Sequence, residues 1–178
     1  QITVPRFSTE LPEFAEAEKA VQARIDHLMG IKGKKSVDSI HKELGHIMWE
    51  YVGMGRTEEG LKTALKLLKD IRKEFETNLF IPGSTEGVNI ELEKALRLND
   101  FITMGELIAY DALNRNESCG GHFREEYQTE EGEAKRDDEN YFYVSCWEYQ
   151  GSDDVAPVLY KEPLVYEAIK VQTRNYKS

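Results

Sequence analysis

The chain has 178 residues, of which 40% are hydrophobic, and this fits one domain whose core buries about two thirds of the unfolded surface. Its 23 lysines and arginines against 33 aspartates and glutamates give a formal net charge of −10. That charge repels phosphate backbones and anionic headgroups, which disfavours nucleic acid as a partner. No apolar run approaches the roughly 20 residues that cross a bilayer, and no charged-then-apolar leader opens the sequence, so we expect a soluble chain.

The first two predicted helices have clear start and stop signals. Pro12 suits the first helical position, and apolar residues recur at helical spacing until Gly30. The basic segment at residues 32–35 is predicted to be a loop, after which Ser36 can cap a second helix that ends near Gly53. The apolar stripes expected to face the core are Phe14, Ala17, Val21, Ile25 and Leu28 in the first helix and Val37, Ile40, Leu44, Ile47 and Tyr51 in the second.

Two longer helices are predicted next. Thr57 supplies a capping hydroxyl, with acidic residues in the first turn, for a third helix. A turn-rich connection at residues 81–87 leads to a fourth helix from Asn89 to about Leu113. The third helix has the stripe Leu61, Leu65, Leu68, Ile71 and Phe75, and the fourth has one face with Leu92, Leu96, Ile102 and Ala109 and another with Leu98, Phe101, Ile108 and Ala112. Because the fourth helix is apolar on two faces, we expect it to pack centrally.

The helical period disappears after Asn114. Residues 141–149 are rich in aromatic and β-branched side chains, residues 151–154 interrupt them, and residues 158–160 resume the extended pattern. This predicts a small antiparallel hairpin.

The fold class predicted from these elements is mainly α. A bundle of three or four long helices occupies residues 12–114, and an irregular C-terminal third, residues 115–178, contains the hairpin. The tail that runs through Tyr166 and Ile169 to Tyr176 is expected to lie against the bundle. We interpret residues 1–178 as a single domain.

Cys119, His122 and Cys146 raise the question of a zinc site or a thiolate nucleophile. A structural zinc site takes four ligands in paired short spacings, and only one such pair exists here. Two residues of separation in a glycine-rich turn seldom align a thiolate with its base, and no orienting acid is specified. We therefore predict neither a metal ligand nor a catalytic residue. The two thiols are expected to stay reduced in a cytosolic chain.

A structural interpretation fits the charged segment better. Gly120 and Gly121 allow turns that other residues disfavour, and arginine forks suit bidentate pairing with carboxylates. Arg115, Arg124 and Arg136 are expected to pair with Glu117, Glu125, Asp137 and Asp138, and His122 to bridge this network by hydrogen bonds. The candidate structural or interface motif comprises Arg115, Glu117, Ser118, Gly120, His122, Arg124, Arg136, Asp137 and Asp138.

The remaining notable side chains have ordinary interpretations. His41 and His46 are five residues apart on the second helix, so they do not share a face as a metal pair would. Residues 130–133 are predicted to form a solvated loop. Trp49 and Trp147 are predicted to be packing anchors.

The pattern Glu-Ser-x-Gly-x-His-x-Arg at residues 117–124, followed by Arg-Asp-Asp at residues 136–138, resembles a signature near the C terminus of the flavoprotein subunits of succinate dehydrogenase and fumarate reductase. Met48-Trp49, Val52-Gly53 and Arg56 resemble the family's Met-Trp-x-x-Val-Gly-x-x-Arg stretch. Most members have arginine in place of Cys119 and a shorter link to Arg-Asp-Asp. The longer link, together with residues 145–149, resembles a bacterial branch that usually works with menaquinone.

The resemblance implies that this chain is excised from the C terminus of a longer flavoprotein and packs on the flavin-binding domain of the same polypeptide. FAD would belong to that parent, because no Gly-x-Gly-x-x-Gly motif follows a strand here. The parent would interconvert succinate and fumarate and exchange electrons with an iron-sulfur subunit held by a membrane cytochrome b. It would be cytoplasmic, attached to the inner membrane through its partners. The fragment itself is expected to be structural and inactive alone.

Two alternatives remain open. L-Aspartate oxidase has a related Glu-Ser-x-Gly-x-His motif in its C-terminal domain, although the long link and the Trp-Glu-Tyr hairpin argue against it. A free-standing acidic helical adaptor that binds a basic partner belongs to a different class of protein.

Overall fold

The structure is a computed structural model that describes residues 8–151 and 155–172. It confirms the mainly α fold class and the C-terminal hairpin. The helices are α1 (Pro12–Gly30), α2 (Val37–Val52), α3 (Glu58–Asn78), α4 (Ile90–Asn114) and the one-turn α5 (Asp138–Tyr141). The strands are β1 (Lys35–Ser36), β2 (Leu79–Phe80), β3 (Tyr143–Glu148) and β4 (Val158–Pro163).

The helix starts follow from local capping chemistry. Pro12 occupies the start of α1, where its missing N–H costs no hydrogen bond. The side-chain oxygens of Ser36, Thr57 and Asn89 each accept the backbone N–H three residues further on, at 3.2, 3.0 and 3.0 Å. These bonds satisfy N–H groups that have no partner within the helix.

The described residues divide into two compact units. The first contains residues up to His46 together with Leu68–Met104, and the second contains Ile47–Leu67 together with the residues from Gly105 onward. Each of α2, α3 and α4 contributes a segment to both units. The interpretation as a single domain stays a prediction.

The first unit has an aliphatic core and a short parallel strand pair. Its buried apolar side chains are Leu28, Val37, Ile40, Leu44, Leu68, Ile71, Phe75, Leu79, Ile81, Leu92, Ala95, Leu98 and Ile102. Strand β1 pairs in parallel with β2, with Lys35 opposite Leu79. Lys35 was predicted to lie in a loop. The two strands are separated by two helices along the chain, so no local sequence pattern indicates that they pair.

Two predicted apolar faces are not buried as expected. In α1 only Leu28 is buried, and Phe14 and Val21 are exposed. In α4 Phe101 and Ile108 are exposed, so the prediction of a helix buried on two faces is wrong. The buried residues of α4 instead form one face at helical spacing, because the small side chains of Ala95, Ala109 and Ala112 occupy positions on it.

The second unit contains the irregular C-terminal third. Its buried apolar side chains are Ile47, Val52, Leu61, Ala64, Ala109 and Ala112, and they are joined by the buried polar residues Glu117, Ser118 and Arg124. The antiparallel β3–β4 hairpin pairs Tyr143 with Pro163 through Glu148 with Val158.

Two further predictions need correction in the second unit. Trp49 is 83% exposed and is therefore not the packing anchor that its size suggested. In the tail, Tyr166 packs edge-on against Phe142 at a ring separation of 5.6 Å, but Ile169 is exposed. The prediction that the tail lies against the bundle is therefore wrong at Ile169, and Tyr176 lies outside the described residues. None of the helices that the structure describes has the length and apolarity needed to cross a membrane.

Candidate functional site

The signature loop, residues 115–138, begins with a tight turn. The N–H of Cys119 donates to the carbonyl of His122 at 2.8 Å, and the N–H of His122 donates back at 3.0 Å. Gly120 has φ of 59°, a left-handed conformation that costs glycine little. The glycine predicted to permit the turn therefore does so.

Arg124 lies at the centre of the loop and is fully buried. Its Nη1 donates to the carbonyl of Ala112 at 3.1 Å and, more weakly, to that of Leu113 at 3.4 Å, at the C-terminal end of α4. Its Nε donates to Oε2 of Glu126 at 3.1 Å, and its guanidinium lies over the Tyr127 ring. A positive charge at a helix C terminus is stabilised by the helix dipole. Arg124 Nη2 has no hydrogen-bond partner among the described residues.

Ser118 holds the backbone of Arg124. Its Oγ accepts the N–H of Arg124 at 2.9 Å and donates to the Arg124 carbonyl at 3.1 Å. Both groups are buried, so the hydroxyl satisfies a donor and an acceptor that water cannot reach.

Glu126, rather than the predicted Glu125, pairs with Arg124. Its Oε1 accepts the N–H of Glu58 at 2.5 Å, at the first residue of α3. Burial acts to raise the pKa of Glu126, but backbone N–H groups, including that of Glu58, and Arg124 together lower it below the usual value. Glu126 thus serves as an anionic cap for a helix that begins 68 residues earlier.

Glu117 is buried and accepts hydrogen bonds on both carboxylate oxygens. Arg115 Nε donates to Oε1, and the N–H of Asp137 donates to Oε2, each at 2.8 Å. Arg115 also donates to the carbonyl of Tyr141 at 2.7 Å. Arg115 thus pairs with one of the four carboxylates expected to bind the arginines, and Glu117 ties the two ends of the loop together.

Arg136 pairs with Asp138 at 2.5 Å, as predicted, and this hydrogen bond raises the pKa of Arg136. Asp137 does not pair with an arginine in the described structure. It caps α5 by accepting the N–H of Asn140 at 3.2 Å. The side chain of an aspartate directly before a helix is well placed for this role.

His122 bridges the side chain of Arg56 and the backbone of Arg115 through its two ring nitrogens. Arg56 Nη1 lies 2.9 Å from His122 Nδ1, and His122 Nε2 lies 2.9 Å from the carbonyl of Arg115. Because a guanidinium only donates, Nδ1 must accept and Nε2–H must donate, which requires a neutral imidazole. Burial, and then the nearby arginines, lower the pKa of His122, while its bond to the Arg115 carbonyl opposes them.

Arg56 joins the loop from outside the motif. Its N–H donates to the carbonyl of Phe123 at 3.1 Å, and its carbonyl accepts the N–H of Glu125 at 2.8 Å. Its Nε donates to the carbonyls of Val52 and Gly53 at 3.1 Å, at the end of α2. Arg56 was part of the family resemblance but was not among the candidate site residues. Its partner His122 is 66 residues away, and no local sequence pattern indicates such a contact.

Arg56, Arg115 and His122 also line a depression of about 450 Å³ in the second unit. On its wall Asp111 accepts the indole N–H of Trp147 at 2.7 Å, and Tyr110 contacts that indole edge-on. The sequence treated Trp147 as an anchor but did not identify Asp111 as its partner. Two hydrogen bonds join side chains of this wall, one between Arg56 and His122 and one between Trp147 and Asp111.

The two cysteines do not form a disulfide bond. Cys119 and Cys146 are both free thiols. In residues 8–151 and 155–172 no group of three or more histidine, cysteine or acidic side chains is arranged to hold a metal ion.

Comparison with known proteins agrees with this architecture. Residues 41–176 match the family described as fumarate reductase flavoprotein C-term. The chain belongs to this family. The matched segment contains both the helix end before Arg56 and the whole signature loop.

Individual relatives are longer proteins. The chain is 29% identical over 121 residues to a fumarate reductase flavoprotein subunit of Proteus vulgaris, which covers 68% of this chain and 19% of that protein. It is 31% identical over 112 residues to an uncharacterized FAD-dependent oxidoreductase of Methanocaldococcus jannaschii, covering 63% of this chain and 20% of the relative. An L-aspartate oxidase of Nicotiana tabacum is 37% identical over 88 residues, or 49% of this chain and 13% of the relative. The chain thus spans a fifth or less of these relatives.

Solved structures share the fold. A quinol-fumarate reductase with menaquinol molecules superposes with a TM-score of 0.76 and 22% identity, covering 94% of this chain and 28% of that one. Adenylylsulfate reductase from Archaeoglobus fulgidus superposes with a TM-score of 0.66 and 20% identity, covering 96% and 27%. The fold therefore occurs in enzymes of different substrates, and it does not by itself identify the reaction.

Proposed function

We propose that the full-length protein is the flavoprotein subunit of a succinate dehydrogenase or fumarate reductase, which interconverts succinate and fumarate using FAD. The observation that supports this most is the family match over residues 41–176, which includes the signature and the stretch ending at Arg56. Relatives named fumarate reductase flavoprotein subunits match over up to 82% of this chain.

Within that subunit this chain is a structural domain. The charged groups of the signature loop bond mainly to each other and to helix ends: Arg124 to Glu126 and α4, and Glu117 to Arg115 and Asp137. A catalytic group needs an atom directed at substrate, whereas these groups are engaged in internal hydrogen bonds. Arg124 Nη2, which has no partner among the described residues, is buried away from solvent. The hydride and proton steps would use residues of other domains.

The partners follow from the same proposal. FAD would be held by a flavin-binding domain of the same polypeptide, and electrons would pass to or from an iron-sulfur subunit, a membrane cytochrome b subunit and a quinone. The complex would lie on the cytoplasmic face of the inner membrane. The likeness of the fold to quinol-fumarate reductase supports this setting.

L-Aspartate oxidase is the second candidate, because two Nicotiana enzymes of that name are 37% and 38% identical to this chain. Those matches cover about half of the chain, compared with 68% for the Proteus fumarate reductase subunit. The broader match favours the first candidate over this one, and family membership favours both over a free-standing adaptor.

The test is to assay the purified full-length protein with succinate and an artificial electron acceptor, with fumarate and a reduced donor, and with L-aspartate. We expect bound flavin and activity with succinate or fumarate. Oxidation of aspartate without oxidation of succinate would assign the protein to the second candidate. A full-length protein without flavin would contradict both.

A further inference from the structure

Two large apolar side chains flank the end of α2 and face solvent. Trp49 is 83% exposed and Met54 is 92% exposed. Both belong to the second unit, and only Glu50, Tyr51, Val52 and Gly53 separate them in sequence. Exposing a tryptophan in this way forfeits the burial that stabilises such residues, and tryptophan is enriched among the residues that dominate binding interfaces. We call Trp49 and Met54 the docking pair.

Glycine explains why the chain turns outward between these two residues. A Cβ at Gly53 would lie 2.6 Å from the carbonyl oxygen of Trp49, closer than real side chains approach. Only glycine therefore allows this path at the end of α2. The turn brings Met54 out into solvent instead of continuing the helix.

The signature loop holds the far end of this turn. Arg56 exchanges backbone hydrogen bonds with Phe123 and Glu125, and its side chain bonds both to the end of α2 and to His122. The turn is thus attached at one side to a helix and at the other to the loop. A segment held in this way loses little conformational entropy on binding, which favours a preformed docking element.

Three exposed carboxylates lie close to the docking pair, two of them in sequence and one beside Gly55. Glu50 lies between its members, and Glu59 follows shortly after. Glu125 Oε1 lies 3.0 Å from the position that a Cβ on Gly55 would occupy, directly next to Met54. An apolar centre with an acidic rim is complementary to an apolar pocket bordered by lysine or arginine.

We propose that the docking pair inserts into an apolar, basic-rimmed pocket on the flavin-binding domain of the same polypeptide, and that the signature loop acts by holding this pair in place. This rests on the proposed function. The relatives support the choice of occupant, because this chain covers only a fifth or less of them, and the rest of such a subunit belongs to the same polypeptide. A second copy of the chain, equally acidic at this edge, would meet charge repulsion.

The first experiment measures the oxidation of Met54 by dilute peroxide in the full-length, flavin-loaded subunit, followed by mass spectrometry. A methionine peptide in the same tube is the reference, because a 92% exposed side chain would oxidise at nearly the peptide rate. We expect oxidation of Met54 at least about tenfold slower than that of the peptide. Oxidation at the peptide rate in a subunit that holds flavin and oxidises succinate overturns the docking inference and leaves the proposed function intact.

A second arm uses Trp49→Ser combined with Met54→Ser in the full-length subunit. We expect limited proteolysis between the two domains to accelerate about tenfold while flavin stays bound, because the docked contact is lost. Val88→Ser combined with Ile90→Ser is the matched control, since both side chains are exposed and apolar but lie outside the docking pair. Equal proteolysis of both double variants and wild type contradicts the proposal.

The same oxidation measurement distinguishes other occupants. Protection of Met54 that appears only at concentrations where the subunit dimerises, or only after an iron-sulfur subunit is added, overturns the choice of the flavin-binding domain. Glu125→Lys gives an independent result on the rim: we expect faster interdomain proteolysis, and no change would contradict a basic border.

Discussion

At the scale of single residues, Arg124 shows how a buried charge is accommodated. Its guanidinium contacts a carboxylate, two carbonyls at the end of α4 and an aromatic ring, and none of its surface reaches solvent. Without such partners, burying the charge would destabilise the fold by more free energy than the side chain contributes. The surrounding groups are therefore needed for Arg124 to be buried.

Replacing Arg124 with alanine should therefore destabilise the fold. Arg124→Ala removes the donor to Glu126 Oε2 and to the carbonyl of Ala112. We expect a loss of about 3 kcal/mol, near the low end for buried pairs because Glu126 is partly exposed. Urea unfolding of the chain measures this. Arg97→Ala is the control, because its pair with Glu93 is exposed on both sides and should matter little.

In the full-length subunit the same variant should assemble less well yet keep normal turnover for each bound flavin. Full assembly and stability with a loss of turnover would instead place Arg124 in the active site.

His122 should make stability depend on pH. Because its pKa is lowered in the folded chain, the unfolded chain takes up the proton first as the pH falls below about 6.5. The contribution of His122 to stability is thus complete above that pH and is lost as the pH falls towards the pKa of the folded state. Protonation also removes the acceptor for Arg56.

The check is the free energy of unfolding measured at pH 7.5 and pH 5.5, values chosen about one unit on either side of the ordinary histidine pKa. His122→Gln, which keeps a donor and an acceptor but does not titrate, should show a smaller decrease. An equal decrease in both proteins would mean that His122 does not supply this dependence.

At the scale of elements, the signature loop secures two helix ends, and Arg56, which bonds to the loop, secures a third. Arg56 bonds to the end of α2, Glu126 to the start of α3, and Arg124 to the end of α4. In each case a side chain of suitable charge meets backbone groups that the helix itself leaves unsatisfied. The signature loop therefore contributes one cap to α3 from 68 residues away and one to the end of α4, whereas Arg56 caps α2 locally.

Removing one cap should loosen one helix end. Glu126→Ala should accelerate hydrogen exchange at the amide of Glu58, because the cap is lost. It should cost about 3 kcal/mol, because it also leaves the buried Arg124 guanidinium without its carboxylate. Glu126→Gln keeps an acceptor oxygen without the charge, so its effect should be smaller. Unchanged exchange at Glu58 in the alanine variant would contradict the capping role.

At the scale of the whole molecule, the chain should fold without its parent and bind no flavin. Its two units each have a buried apolar core, and the sequence has no phosphate-binding Gly-x-Gly-x-x-Gly motif. We expect the purified chain to be colourless, with helical circular dichroism and a cooperative unfolding transition. A stoichiometric yellow cofactor, or oxidation of succinate by the chain alone, would refute this.

The features that could be predicted from the sequence depend on local chemistry. The bounds of α1 and the caps at Ser36 and Thr57 agree with prediction, because proline geometry and side-chain capping act over three or four residues. The Arg115–Glu117 and Arg136–Asp138 pairs were found for the same reason, since each joins residues two apart.

Only the tertiary structure decided the contacts between distant segments. It selects Glu126 over Glu125 for Arg124, because only Glu126 also meets the start of α3. It brings Arg56 to His122 across 66 residues, and it leaves Trp49 exposed although its size predicted burial. Spacing along a chain indicates which face of an element is apolar, but the packing of the whole chain decides which neighbour, if any, covers that face.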